Sequence, residues 1–110
     1  MKKSLRLHIE DELQSFPKYM DTLDEDPTKQ LITSRRVLGM FRSCLAILKV
    51  VGKLEPDGKK LVELKYWNPE KLKAAEIASQ LNMTAPQVKK YSEAICEAIA
   101  RELGWISSIV

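Results

Sequence analysis

Histidine occurs once in this chain, at His8, and cysteine twice, at Cys44 and Cys96. None of the three has the spacing of a metal-ligand set, so no metal centre and no cofactor are expected. The two cysteines lie far apart, each inside an apolar helical pattern. That reads as two buried free thiols in a reducing compartment. A Gly-rich phosphate loop is missing. So are a catalytic triad set and a paired acid and base, the carboxylates being scattered over polar helix faces; no enzyme is expected. Long hydrophobic runs are also missing. The most apolar stretch, Val37 to Val51, is broken by Arg42, Ser43 and Lys49 and is too short and too charged to span a bilayer. The basic Met1-Lys2-Lys3 is followed by a segment too polar for a signal core. A cytoplasmic protein with no membrane partner is the expectation. Sustained alternation of β-branched or aromatic residues does not occur, nor does an Asn-Gly or Asp-Gly hairpin, so the fold is expected to be all-α.

What remains is a chain of 110 residues with 45% apolar and 30% charged side chains. That suffices for one core and excludes a disordered composition. The net charge of +3 is unevenly spread. Residues 1–30 hold five Lys/Arg against seven Asp/Glu, residues 31–66 eight against three, and residues 67–110 five against five. The positive charge therefore sits mostly in the middle of the chain.

Helical spacing organises the chain. Leu5, Ile9, Leu13 and Phe16 share a face of a first helix, which Pro17 is expected to end or bend. Tyr19 to Leu23 reads as a short second turn. Asp26 and Pro27 read as cap and first residue of a long helix running to Val51. On it Leu31, Leu38, Phe41, Leu45 and Leu48 form one stripe, flanked by Val37, Cys44 and Val51 and widened by Met40 and Ile47. Arg35, Gly39, Arg42, Ala46 and Lys49 are read as the solvated face. An apolar face that wide needs cover from two directions, the chain's own bundle and the same helix of a second subunit, so a homodimer or higher homo-oligomer is expected. After a loop, Asp57 to Trp67 reads as a helix, Asn68-Pro69 opens another that runs to Leu81, and Ala85 to Leu103 forms the last, stopped by Gly104. Trp105-Ile106 then packs back or extends an apolar tail. Residues 1–54 make an N-terminal helical, oligomerising region, and 55–110 a tri-helical unit on which the N-terminal and central helices pack.

The segment Ala75 to Tyr91 has the pattern of a DNA-binding helix-turn-helix. Ala78 is the small residue at a close helix crossing. Leu81 and Met83 bracket the turn. Asn82 falls where a positive φ is needed. Thr84 can cap the second helix, with Gln87 three residues on completing a capping box, and Pro86 fits the first turn. Val88 and Tyr91 face inward.

The string Leu61-Val62-Glu63-Leu64-Lys65-Tyr66-Trp67, the helix-turn-helix, and the run Ile95-x-x-x-Ile99-Ala100-Arg101-Glu102-Leu103-Gly104-Trp105 together resemble the RinA-like phage transcriptional regulators, which are similar in turn to the fourth region of sigma factors. The opening Glu10-Asp11-Glu12-Leu13-Gln14-Ser15-Phe16-Pro17-Lys18-Tyr19 looks like the same family's acidic first helix with its aromatic-Pro-x-aromatic corner. The resemblance implies a DNA-binding regulator of prophage genes in a bacterial host cell, an activator of late, packaging-related operons, with double-stranded DNA as partner. It places reading positions on Thr84, Ala85, Gln87, Lys89 and Lys90. Family members carry more Arg or Lys on the second helix, and their turn glycine is Asn82 here. Lys89 and Lys90 could divide a phosphate and a guanine edge between them, and Gln87 could pair with adenine or serve the cap. Lys59, Lys60, Lys71 and Lys73 are candidate phosphate contacts, with Arg35-Arg36 a further basic pair. Two other readings stand beside this one: a small-terminase-type assembly protein that uses the motif on packaging-site DNA, and an adaptor that binds host RNA polymerase.

Overall fold

The computed structural model describes residues 2–25 and 35–105. Among them the chain is all-α. Helix α1 spans Lys3–Glu25 and α2 spans Arg35–Gly52. Helix α3, Pro56–Val62, continues into a π-helical turn at Glu63–Trp67. Helices α4, Ala74–Leu81, and α5, Ala85–Glu102, complete the order. The expected start of the central helix at Asp26-Pro27, and Leu31 on its stripe, lie outside the described residues. One core runs across both expected regions: Ile9 and Leu13 of α1, Ile47 of α2, Leu61 of α3, and Ile95 and Ile99 of α5 are fully or almost fully buried.

Pro17 does not end the first helix. Helix α1 continues through it to Glu25 and absorbs the short second turn expected at Tyr19 to Leu23. The reason lies in one hydrogen bond. A proline inside a helix has no N–H, so the carbonyl four residues earlier loses its partner. That carbonyl belongs to Leu13, and Trp67 Nε1 donates to it at 2.9 Å. The indole also stacks on Phe16, with ring centroids 5.0 Å apart. The defect in α1 thereby becomes the docking point for the end of α3.

The helix expected from Asp57 to Trp67 is regular only to Val62. Its last turn widens and carries Tyr66 and Trp67 onto α1. The Tyr66 hydroxyl donates to Glu10 Oε2 at 2.8 Å, and Lys65 Nζ lies 3.6 Å from the same oxygen. Arg6 bridges Glu10 and Glu93, at 3.4 and 2.7 Å, tying α1 to α5 as well.

The central helix turns differently from the reading of its sequence. Ser43, Cys44, Ala46, Ile47 and Val50 are buried, so Ala46 belongs to the core face, not the solvated one. Leu38, Phe41, Leu45 and Leu48 are about half exposed. The wide apolar face is thus two faces, and the described residues cover only one.

Burial raises the acid groups of this core. The Cys44 and Cys96 thiols are held above their ordinary 9.0, and the Tyr66 phenol above 10.0, chiefly by desolvation. For Tyr66 the neighbouring Cys96 and Glu10 push the same way. The folded chain therefore keeps protons that the unfolded chain gives up once the pH passes these ordinary values. Stability is full below about pH 9 and falls as pH rises beyond it. The urea midpoint should be lower at about pH 10.5 than at about pH 8, and a thiol reagent at pH 8 should label neither cysteine until the chain unfolds. An unchanged midpoint, or rapid labelling of the native protein, would refute this.

Candidate nucleic-acid interface

Helix α4 ends because Asn82 takes φ 54°, ψ 40°, the left-handed conformation its position called for. The end has the doubly bonded geometry of a Schellman motif. The Met83 N–H bonds the Ala78 carbonyl at 2.9 Å and the Asn82 N–H bonds the Ser79 carbonyl at 3.4 Å. Two residues later Thr84 opens α5 with a complete capping box. Thr84 Oγ1 accepts from the Gln87 N–H at 3.2 Å, and Gln87 Oε1 accepts from the Thr84 N–H at 2.9 Å. Val88, Ile77, Ala78 and Leu81 are buried between the two helices and the core. The joint between α4 and α5 is therefore specified residue by residue.

The first helix of this pair begins later than expected. Asn68-Pro69 does not open it. Asn68 is extended, as a residue before proline tends to be, and its side chain accepts from the Glu70 N–H at 2.9 Å. That local bond competes with a helical start. Helix α4 begins only at Ala74, with Lys73 as its uncapped N-cap. Ala75, the first residue of the helix-turn-helix segment, is exposed.

Thr84, Ala85, Gln87, Lys89 and Lys90 are all exposed on the first turns of α5. They do not form one patch. Lys90 stands 200° around the helix from buried Val88, by the 100° turn per residue, and faces outward. Lys89 lines a groove of about 560 Å³ with Arg6 and Lys65 on its rim and Leu72, Ile77, Pro86 and Val88 among its apolar walls. Two neighbouring hollows share residues with it: one is lined by Lys71 together with Lys65 and Leu72, the other by Lys3 together with Arg6 and Lys89. Gln87 lies on the other side of the turn. There Asp57 lines a hollow with Asn82, Gln87 and Tyr91, and burial together with Glu55 and Asp57 raises the Tyr91 phenol. The first turn of α5 thus has a cationic flank and an acidic one.

The cationic flank gathers Lys3, Arg6, Lys65, Lys71 and Lys89 against Glu10, Glu93 and Glu97. Arg6 and Lys65 are held in ion pairs; Lys3, Lys71, Lys89 and Lys90 have none among the described residues. Of the expected phosphate contacts, Lys71 joins this flank. Lys73 is exposed at the start of α4, and Lys59 and Lys60 are exposed on α3 outside the groove. Lys3, Arg6 and Lys65 were not anticipated from the sequence. Arg6 reaches α5 only through its contact with Glu93, 87 residues away, and no local pattern announces it.

Chemically, the N-terminus of α5 offers little bare backbone to an anion. Pro86 has no N–H, and the Gln87 N–H is taken by Thr84. Contacts there must come from side chains. The Gln87 carbonyl oxygen is occupied by the cap, which leaves its amide N–H groups to donate. An adenine pair needs both donor and acceptor and would require the cap to open. Among the described residues no cluster of His, Cys, Asp or Glu could hold a metal ion, and no helix is long and apolar enough to cross a membrane. Comparison with protein-family models, with curated proteins and with solved structures gives no match.

Proposed function

We propose that the chain is a sequence-specific DNA-binding transcriptional regulator of prophage genes, acting in the bacterial cytoplasm on double-stranded DNA and working as a homo-oligomer. The observation that carries the reading is the α4–α5 joint: a left-handed Asn82 closing one helix, a capping box opening the next, and the first turn of the second helix exposed. A helix-turn-helix presents its second helix to the major groove in this way. The RinA-like resemblance of the sequence supports the same reading and adds activation of late, packaging-related operons. In it, Lys90 meets a base edge, Gln87 donates through its amide, and Lys89, beside Lys3 and Lys71, tracks the phosphate backbone. The unit offers few unpaired cations, so oligomerisation supplies the remaining affinity.

A titration of labelled duplex at several salt concentrations tests this. Lys89→Ala should weaken cognate and random duplex alike, severalfold, and lower the salt slope by about 1. Lys90→Ala and Gln87→Ala should erode the preference for cognate DNA instead. If all three variants bind both duplexes as the parent does, α5 is not the reader. The apolar stripe left open on α2 then favours the second reading, a ring-forming packaging subunit of small-terminase type.

A further inference from the structure

Leu38, Phe41, Leu45 and Leu48 follow one another at intervals of three, four and three residues along α2, and each is close to half exposed. The opposite side of the same helix, Ser43, Ala46, Ile47 and Val50, is sealed in the core. Three-four spacing is the seam of a coiled coil, with Leu38 and Leu45 at a and Phe41 and Leu48 at d. In the sequence Leu31 stands one heptad earlier, also at a.

We infer that this seam is where two copies of the chain meet, α2 against α2, in parallel. The inference deepens the homo-oligomeric part of the proposed function by naming its surface and its geometry. Four half-exposed large side chains leave on the order of 400 Å² of apolar surface, the size of the largest patch on a typical monomer, which is often functional. A stable interface takes about 800 Å² from each partner. The seam is thus about the apolar half of such an interface, with Arg42, Lys49 and Leu103 beside it to form the rim. A twofold axis makes the patch its own complement.

Charge selects the direction. Arg42 and Lys49 both occupy e positions, and g positions hold Val37, Cys44 and Val51. An antiparallel pair sets e against e, bringing the two cations of each copy against those of its twin. A parallel pair sets e against g, where no cation stands. Lys49 is already balanced within its own chain by Glu102 at 3.3 Å. Either direction relates the two α5 helices by a twofold axis, as two half-sites on one duplex require, so the choice between them rests on the charges.

Sedimentation of the full chain without DNA tests the interface separately from DNA binding. At tens of micromolar, two copies are expected, and Leu45→Glu should give a monomer with unchanged helical circular dichroism. Leu38→Cys and Leu48→Cys, each alone, should cross-link to themselves on mild oxidation. A monodisperse parent monomer would overturn the inference and leave the chain's own residues 106–110, or a foreign helix, as the cover. A closed ring would overturn the pair, and cross-linking only in a mixture of the two cysteine variants would overturn the parallel direction. If the dimer holds while DNA binding fails, the surface stands and the regulatory reading falls.

Discussion

Trp67→Ala is expected to lower the stability of the fold by about 3–4 kcal/mol, within the range for removing a large aromatic side chain from a core. Much of that is lost packing on Phe16. The rest is a hydrogen bond, and Trp67→Phe isolates it. The phenyl ring can still stack, but the Leu13 carbonyl loses its donor because Pro17 has no N–H to offer in its place. An orphaned partly buried acceptor costs about 1–3 kcal/mol. Pro17→Ala supplies the missing N–H. In the Trp67→Phe background it should recover about 1 kcal/mol more than it gains in the parent, where the indole already serves that carbonyl. Urea denaturation of the four proteins measures this coupling directly. Equal gains in the two backgrounds would mean that the indole and the proline are unconnected.

The same pair marks the limit of what the sequence discloses. A proline in an acidic amphipathic helix predicts a break, because locally nothing compensates for it. The compensation comes from Trp67, 54 positions beyond the Leu13 carbonyl it serves, and only after the last turn of α3 has widened into a π-helical turn. Local chemistry was legible where it is self-contained. Asn82, Thr84 and Gln87 each bond within five residues of themselves, and their roles follow from spacing alone. Gly104 likewise takes φ 75° and ends α5, letting the Trp105 N–H reach the Ala100 carbonyl. The cationic flank was not legible, since Lys3 and Arg6 join Lys89 only through the packing of α1 on α5. On α2 the apolar residues were found, but not their division. Periodicity puts Leu45 on the apolar stripe and Ala46 on the solvated face, and only the positions of α1 and α5 decide that Ala46 is covered and Leu45 is not.

Asn82 carries the second large expected effect, because two helices depend on one dihedral angle. At φ 54° a side chain branched at Cβ collides with its own backbone, whereas Asn tolerates the region and Gly is indifferent to it. Asn82→Gly should therefore leave the denaturation midpoint unchanged or raise it slightly. Asn82→Val should cost about 2 kcal/mol. The chain can accept that strain or reroute the turn. Rerouting would break the Met83-to-Ala78 bond and swing the start of α5, with its capping box, away from α4. These alternatives separate in the DNA titration. If the turn is kept, the Val variant at low temperature, still mostly folded, binds cognate duplex as the parent does. If the turn reroutes, affinity falls further than the unfolded fraction explains. Equal stability of the Gly and Val variants would show that the left-handed turn does not govern the joint, and would remove the argument that the exposed first turn of α5 is held in place to read DNA.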